Sequence, residues 1–129
     1  ATADLGRPTR LLNVINDKFI QLSGEDGTAL PYLAAGGHGC ISVTANIAPN
    51  LLSRMHNAWQ QGDIQTAQDI NQKLMPLHDA LFCETSPGPL KYAASLLNIC
   101  ESDTRLPIVE IEFESKKRVE EGLKFAELM

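Results

Sequence analysis

Phe19-Ile20-Gln21-Leu22-Ser23-Gly24-Glu25-Asp26-Gly27 begins as a short apolar run and closes on turn-forming residues. That combination reads as a buried strand, Phe19-Ile20-Gln21-Leu22, ending in a turn. The pattern returns at Gly39-Cys40-Ile41-Ser42-Val43-Thr44-Ala45-Asn46, where Cys40-Ile41-Ser42-Val43 is a second strand, entered through Gly39 and left through Thr44-Ala45-Asn46. Between the two, residues 28–35 read as a helix stopped by Gly36-Gly37. Near-continuous apolar strands alternating with helices predict a parallel sheet covered by helices, an α/β fold.

Working outward, residues 8–15 form a short helix candidate, with Pro8 near its start where a missing N–H costs little. After the second strand the character changes to all helix. Residues 49–61 carry Leu51, Leu52, Met55, Ala58 and Trp59 on one face and end at Gly62. Asp63 is placed to cap the next helix. In that helix Ile64, Ala67, Ile70, Leu74, Leu77 and Leu81 recur at spacings of three and four, with Pro76 expected to kink it. Thr85-Ser86-Pro87-Gly88-Pro89 is a break. Residues 90–99 read as a helix with Tyr92 and Leu96 on one face, and residues 102–112 as an extended connector. A last helix starts at Ser115, with Val119, Leu123 and Ala126 as its stripe and a Glu120–Lys124 pair on its solvated face. Two strands do not make a stable α/β sheet alone. Either further sequence completes the sheet or the strands pair with another chain; with a chain that opens on Ala1-Thr2-Ala3-Asp4 and no initiator Met, the former is the expectation.

Composition narrows the function. The 129 residues are 43% apolar and 21% charged, which is globular rather than disordered. No apolar run approaches the roughly 20 residues that span a bilayer, and residues 1–10 have no secretory h-region. The expectation is no membrane partner. A net charge of −5 lacks the basic footprint of a nucleic-acid binder. Three widely spaced cysteines, Cys40, Cys83 and Cys100, fit reduced thiols in a cytoplasm, and with no CxxC they suggest neither redox nor metal chemistry.

The chemistry-bearing motifs each have a plain structural reading. Gly36-Gly37-His38-Gly39 follows a helix and precedes a strand, the reverse of a phosphate loop, and reads as a helix C-cap with a tight turn. Ser23-Gly24-Glu25-Asp26-Gly27 lies at the C-terminal end of a strand, where parallel α/β folds place chemistry. It also reads as a turn with Glu25 and Asp26 as acids favourable to a helix N-terminus, and that reading has the edge on local grounds. Residues 41–46 end in the same mouth. His38, His56 and His78 each stand without a His or Cys at zinc spacing and read as solvated or core-edge. No lysine is placed like a barrel nucleophile: Lys18 precedes a strand, Lys91 sits on a helix, and Lys73, Lys116, Lys117 and Lys124 lie on helix surfaces.

Leu22-Ser23-Gly24-Glu25-Asp26 and Gly36-Gly37-His38-Gly39-Cys40-Ile41-Ser42-Val43-Thr44-Ala45-Asn46 closely resemble the last two barrel strands of the dihydrodipicolinate synthase (4-hydroxy-tetrahydrodipicolinate synthase) family, pyruvate-dependent class I aldolases. Leu74-Met75-Pro76-Leu77-His78, Pro87-Gly88-Pro89-Leu90-Lys91-Tyr92-Ala93 and Arg105-Leu106-Pro107 resemble its C-terminal helical domain. The departure is Gly88, where the family more often has an aliphatic residue.

The resemblance implies the C-terminal part of a (β/α)8 TIM barrel at residues 1–61 and a helical C-terminal domain at residues 62–129. It implies a lyase of lysine and diaminopimelate biosynthesis that needs no cofactor. A lysine forms a Schiff base with pyruvate. The resulting enamine attacks the aldehyde of aspartate semialdehyde, and a tyrosine–threonine relay moves protons. That lysine is expected two residues ahead of Ala1 and the relay earlier still, so no catalytic residue is expected in this chain. Tyr32 and Tyr92, both in helical segments, are not candidates for the relay. The isolated chain is expected to be inactive. Two positions match the family's pocket: Ile41, through its backbone carbonyl, and Gly24, whose missing side chain leaves room beside the substrate. Glu25 and Asp26 flank it more loosely. The resemblance also implies a cytoplasmic homotetramer, a dimer of dimers. Alternatives are a sister aldolase acting on N-acetylneuraminate or a 2-keto-3-deoxy sugar acid, or a non-catalytic assembly module.

Overall fold

The computed structural model describes residues 2–15 and 19–129. The chain separates into two compact units, one ending at Ser42 and one running from Val43 to Met129.

The first unit holds helix α1 (Arg7–Leu12), strand β1 (Leu22–Ser23), helix α2 (Ala29–Ala34) and strand β2 (Gly39–Cys40). The strands pair in parallel, Leu22 opposite Gly39 and Ser23 opposite Cys40. Both are shorter than the sequence predicts. The predicted Phe19-Ile20-Gln21-Leu22 keeps only Leu22 in the ladder, and Cys40-Ile41-Ser42-Val43 keeps only Cys40. Among the described residues each strand has one neighbour, so regular pairing stops where that neighbour diverges. Two further backbone bonds bracket the ladder: His38 N–H donates to the Gln21 carbonyl (2.9 Å) and Ile41 N–H to the Ser23 carbonyl (2.8 Å). At the far end of α2 the expected glycine cap is present. Gly36 has φ of +95° and the Gly37 N–H reaches back to the Tyr32 carbonyl at 2.9 Å. That 6→1 bond closes a Schellman turn. A Cβ on Gly37 would fall 2.1 Å from the Tyr32 ring, so only glycine fits.

The second unit is helical: a 3₁₀ turn (Thr44–Asn46), α3 (Pro49–Gln60), α4 (Ile64–Leu81), α5 (Gly88–Leu96) and α6 (Phe113–Phe125). Asp63 caps α4 as expected, its carboxylate accepting from Thr66 N–H at 3.1 Å. Pro76 lies inside α4, which runs on to Leu81. The core is assembled on α4. Leu74, Leu77 and Leu81 are fully buried, with Met55 of α3 and Val119 and Leu123 of α6. Ile64, expected in this stripe, is 41% exposed in the first turn. On α5 the buried face is Gly88, Pro89, Ala93 and Ala94 rather than Tyr92 and Leu96. Small residues let α5 approach closely, and a Cβ on Gly88 would sit 2.9 Å from Ile111 Cγ2. Helix α6 begins two residues before the expected Ser115. The domain boundary expected at 61/62 falls inside this compact unit, where α3 packs on α4. Among the described residues no helix is long and apolar enough to cross a membrane.

Candidate active site

The side-chain alternation along β1 is inverted relative to an ordinary half-buried strand. Gln21 and Ser23 are buried, while Ile20 and Leu22 are 65% and 47% exposed. Gln21 Nε2 donates to the Pro8 carbonyl of α1 at 3.4 Å, so the polar face is the one covered by helix. Its backbone N–H donates to His38 Nδ1 at 3.1 Å. The open face carries Ile20 and Leu22, and Ile41 just past β2 is 72% exposed. A parallel sheet is normally covered on both faces.

The C-terminal ends of β1 and β2 lie side by side, which brings Gly24 and Ile41 together as the sequence expects. Gly24 directly follows Ser23, whose carbonyl accepts the Ile41 N–H. The loop between them is held from within. Ser23 Oγ accepts from Glu25 N–H (3.1 Å) and donates to the Glu25 carbonyl (3.2 Å). Asp26 is not an N-cap acid. The α2 cap is Thr28, without a side-chain cap bond. Asp26 is instead 2% exposed, and Ser42 Oγ donates to its Oδ1. No local pattern announces this bond, since its partners are 16 residues apart. Cys40 lies in the same cluster, its Sγ 3.9 Å from the Glu25 carbonyl. Burial, and then the neighbouring Asp26 charge, push its thiol up to about 11. A cavity of about 550 Å³ opens beside Gly24, lined also by Thr2, Asp4, Arg7, Ser23, Glu25, Thr28 and Tyr32.

The remaining candidates fall elsewhere. Lys18 lies outside the described residues. Lys73 pairs with Glu127, Lys116 with Glu110, Lys117 with Glu114 (3.2 Å), and Lys91 with Asp103 (3.8 Å). Lys124 is exposed in the last turn of α6. None of the described lysines sits at a strand end. Tyr92 on α5 donates to Glu120 Oε1 at 2.8 Å, and burial together with that carboxylate pushes the phenol up to about 12. Glu120 therefore holds Tyr92, and no ion pair joins it to Lys124 among the described residues. His38 is exposed and His56 half-buried. His78 is neither solvated nor at the core edge: it is 2% exposed, with Nδ1 2.8 Å from the hydroxyl of the fully buried Thr44. Its place four residues after Leu74, on the buried face of α4, was the available signal. Cys40, Cys83 and Cys100 are free thiols.

The model of the dihydrodipicolinate synthetase family matches residues 1–126. The 4-hydroxy-tetrahydrodipicolinate synthase of Gluconacetobacter diazotrophicus is 52% identical over 130 residues, covering 100% of this chain and 44% of that protein. Among solved structures, a monomeric dihydrodipicolinate synthase variant superposes with a TM-score of 0.95 at 31% identity, over 100% of this chain and 44% of its own. The dihydrodipicolinate synthase of Acinetobacter baumannii, solved with pyruvate, superposes with a TM-score of 0.92 at 35% identity, again over 100% and 44%. The chain thus spans less than half the length of the relatives it matches. Paired parallel strand ends carrying Gly24 and Ile41, a helical second unit built on Leu74 and Leu77, and a family match over nearly every residue agree: this chain belongs to the dihydrodipicolinate synthetase family.

Proposed function

We propose that this chain supplies the closing strands of a (β/α)8 barrel and the helical domain that follows it, in a 4-hydroxy-tetrahydrodipicolinate synthase. The observation that carries this reading is the strand-end geometry. Ile41 N–H bonds to the Ser23 carbonyl, which sets Gly24 and the Ile41 backbone next to each other at the mouth. The open apolar face of Ile20, Leu22 and Ile41 supports it, because further barrel strands would cover that face. On this reading residues 1–61, including α3, belong to the barrel, and residues 62–129 form the appended domain.

The intact enzyme condenses pyruvate with L-aspartate 4-semialdehyde. A lysine of the barrel strand preceding Ala1 attacks the keto carbon of pyruvate and loses water, forming an iminium. The iminium withdraws electrons from the methyl carbon, which gives up a proton to leave an enamine. The enamine carbon then attacks the aldehyde, and cyclisation of the adduct through its amine releases the lysine. In this chain Gly24 leaves space beside the keto acid, and the Ile41 carbonyl lines its pocket as an acceptor. On this reading the Schiff-base lysine belongs to another barrel strand, and the chain by itself is expected to be inactive. The setting is cytoplasmic lysine and diaminopimelate synthesis, and the assembly is a homotetramer.

The test is turnover by the intact protein. Consumption of pyruvate with aspartate semialdehyde is expected, with no cleavage of N-acetylneuraminate. Activity confined to N-acetylneuraminate or 2-keto-3-deoxy sugar acids would assign it to a sister aldolase instead. Sedimentation of the intact protein as a monomer would overturn the tetramer.

A further inference from the structure

Asp26 is a carboxylate withdrawn from water, and such a group is retained only where hydrogen bonds hold it. Its Oδ1 accepts from Ser42 Oγ while the residue is 2% exposed. The bond's position matters more than its existence. Ser42 immediately follows Ile41, and Asp26 lies two residues past Gly24. Regular pairing of β2 ends at Cys40, and the Ile41 N–H bonds to the Ser23 carbonyl one residue further on. The next peptide plane carries the Ile41 carbonyl, and beyond the ladder a side-chain anchor on Ser42 sets its direction. Gly24 is bracketed in the same way. On one side Ser23 Oγ grips the Glu25 backbone at 3.1 and 3.2 Å, and on the other Asp26 is tied to Ser42.

We infer that Asp26 and Ser42 form a positioning pair, which holds the Ile41 carbonyl at a fixed direction and distance from Gly24 and so sets the enzyme's grip on its keto acid. This rests on the reading of Gly24 and Ile41 as the pyruvate pocket. Neither side chain touches the substrate, and both act through the backbone they anchor.

The experiment uses the intact enzyme as wild type, Asp26→Ala, Asp26→Asn and Ser42→Ala. Each is assayed for KM of pyruvate, KM of aspartate semialdehyde and kcat, and a separate sample of the wild type is reduced with borohydride in the presence of pyruvate. Asp26→Ala and Ser42→Ala are expected to raise the pyruvate KM about tenfold, the weight of one hydrogen bond to a charged group. The semialdehyde KM should stay in place and kcat should change far less. Asp26→Asn keeps an oxygen acceptor for Ser42 and should restore most of the loss. If Asp26→Ala does not fold, Ser42→Ala, which removes a single hydroxyl, decides. An unmoved pyruvate KM, or a uniform fall of activity that tracks only the folded fraction, overturns the inference. A wild type that yields no reduced pyruvyl adduct overturns the pocket reading, and the inference with it. A trapped adduct with an unmoved KM sinks the positioning pair alone.

Discussion

Helix α6 approaches α4 so closely at Gly122 that a side chain there has no free space. A Cβ would lie 3.1 Å from Leu77 Cα, 3.3 Å from the Pro76 carbonyl oxygen and 3.4 Å from Ala80 Cβ. The two nearest are backbone atoms, which cannot rotate aside. Leu77 and Ala80 are 0% and 2% exposed, so α4 has packed core behind it and little room to retreat. Gly122→Ala sets two effects against each other. Alanine in place of glycine inside a helix gains roughly 1 kcal/mol, and forcing a methyl into a filled core costs about 1–3 kcal/mol. The net is a loss of between roughly 0 and 2 kcal/mol. Gly122→Val adds two more carbons and gives up helix propensity, so the helices must part over Val119 and Leu123. Its expected cost is about 3 kcal/mol or more. Urea or thermal unfolding of the intact protein reads both variants. A valine variant with the wild-type midpoint would refute the close approach of α4 and α6 on which this core is built.

Further outcomes follow from the same packing and chemistry. Gly62 has φ of +77° and open space for 4 Å around the place a Cβ would take, so Gly62→Ala should cost about 1 kcal/mol from backbone conformation alone, and Gly62→Asn less. Leu74→Ala empties a fully buried site on α4 and should cost roughly 2–5 kcal/mol in the same unfolding assay. Asp63 has its carboxyl held below the usual range by hydrogen bonding from Thr66, its side chain first and then the backbone N–H that Asp63 caps. Its contribution is therefore present at neutral pH and lost as pH falls through its folded-state value. Asp63→Ala should lower the melting temperature at pH 7 and make little difference in strong acid. The Cys40 thiol, raised to about 11 from an ordinary 9.0, should be alkylated after the exposed Cys100 at pH 8. The folded state holds the Cys40 proton more tightly than the unfolded chain. Its stabilising effect is thus complete below about pH 9 and disappears as pH rises through 11.

Periodicity placed the helices well because each buries one face against a partner. Asp63 as the α4 cap, Leu74, Leu77 and Leu81 as its core, and Val119, Leu123 and Ala126 on α6 all follow from spacing. Strand length was not legible, because it depends on how far a neighbour keeps register rather than on composition. The candidate site divided in the same way. That the ends of β1 and β2 share one mouth follows from a strand–helix–strand order with parallel pairing. The proposal that Gly24 and Ile41 line the pocket rests on family resemblance, since a glycine after a strand has many ordinary uses. Asp26 bonded to Ser42, and His78 against Thr44, are contacts across 16 and 34 residues. Local reading assigns Asp26 to a helix end and His78 to solvent or the core edge, because nothing near either residue in sequence reveals its partner.

The most direct measurement is a crystal structure of the intact protein after borohydride reduction in the presence of pyruvate. One pyruvyl adduct is expected, on a lysine of the barrel strand ahead of Ala1, with its carbons packed beside Gly24 and the Ile41 carbonyl turned toward it. An adduct on Lys18, Lys73, Lys91 or any other lysine of this chain, or one seated away from Gly24 and Ile41, would contradict it.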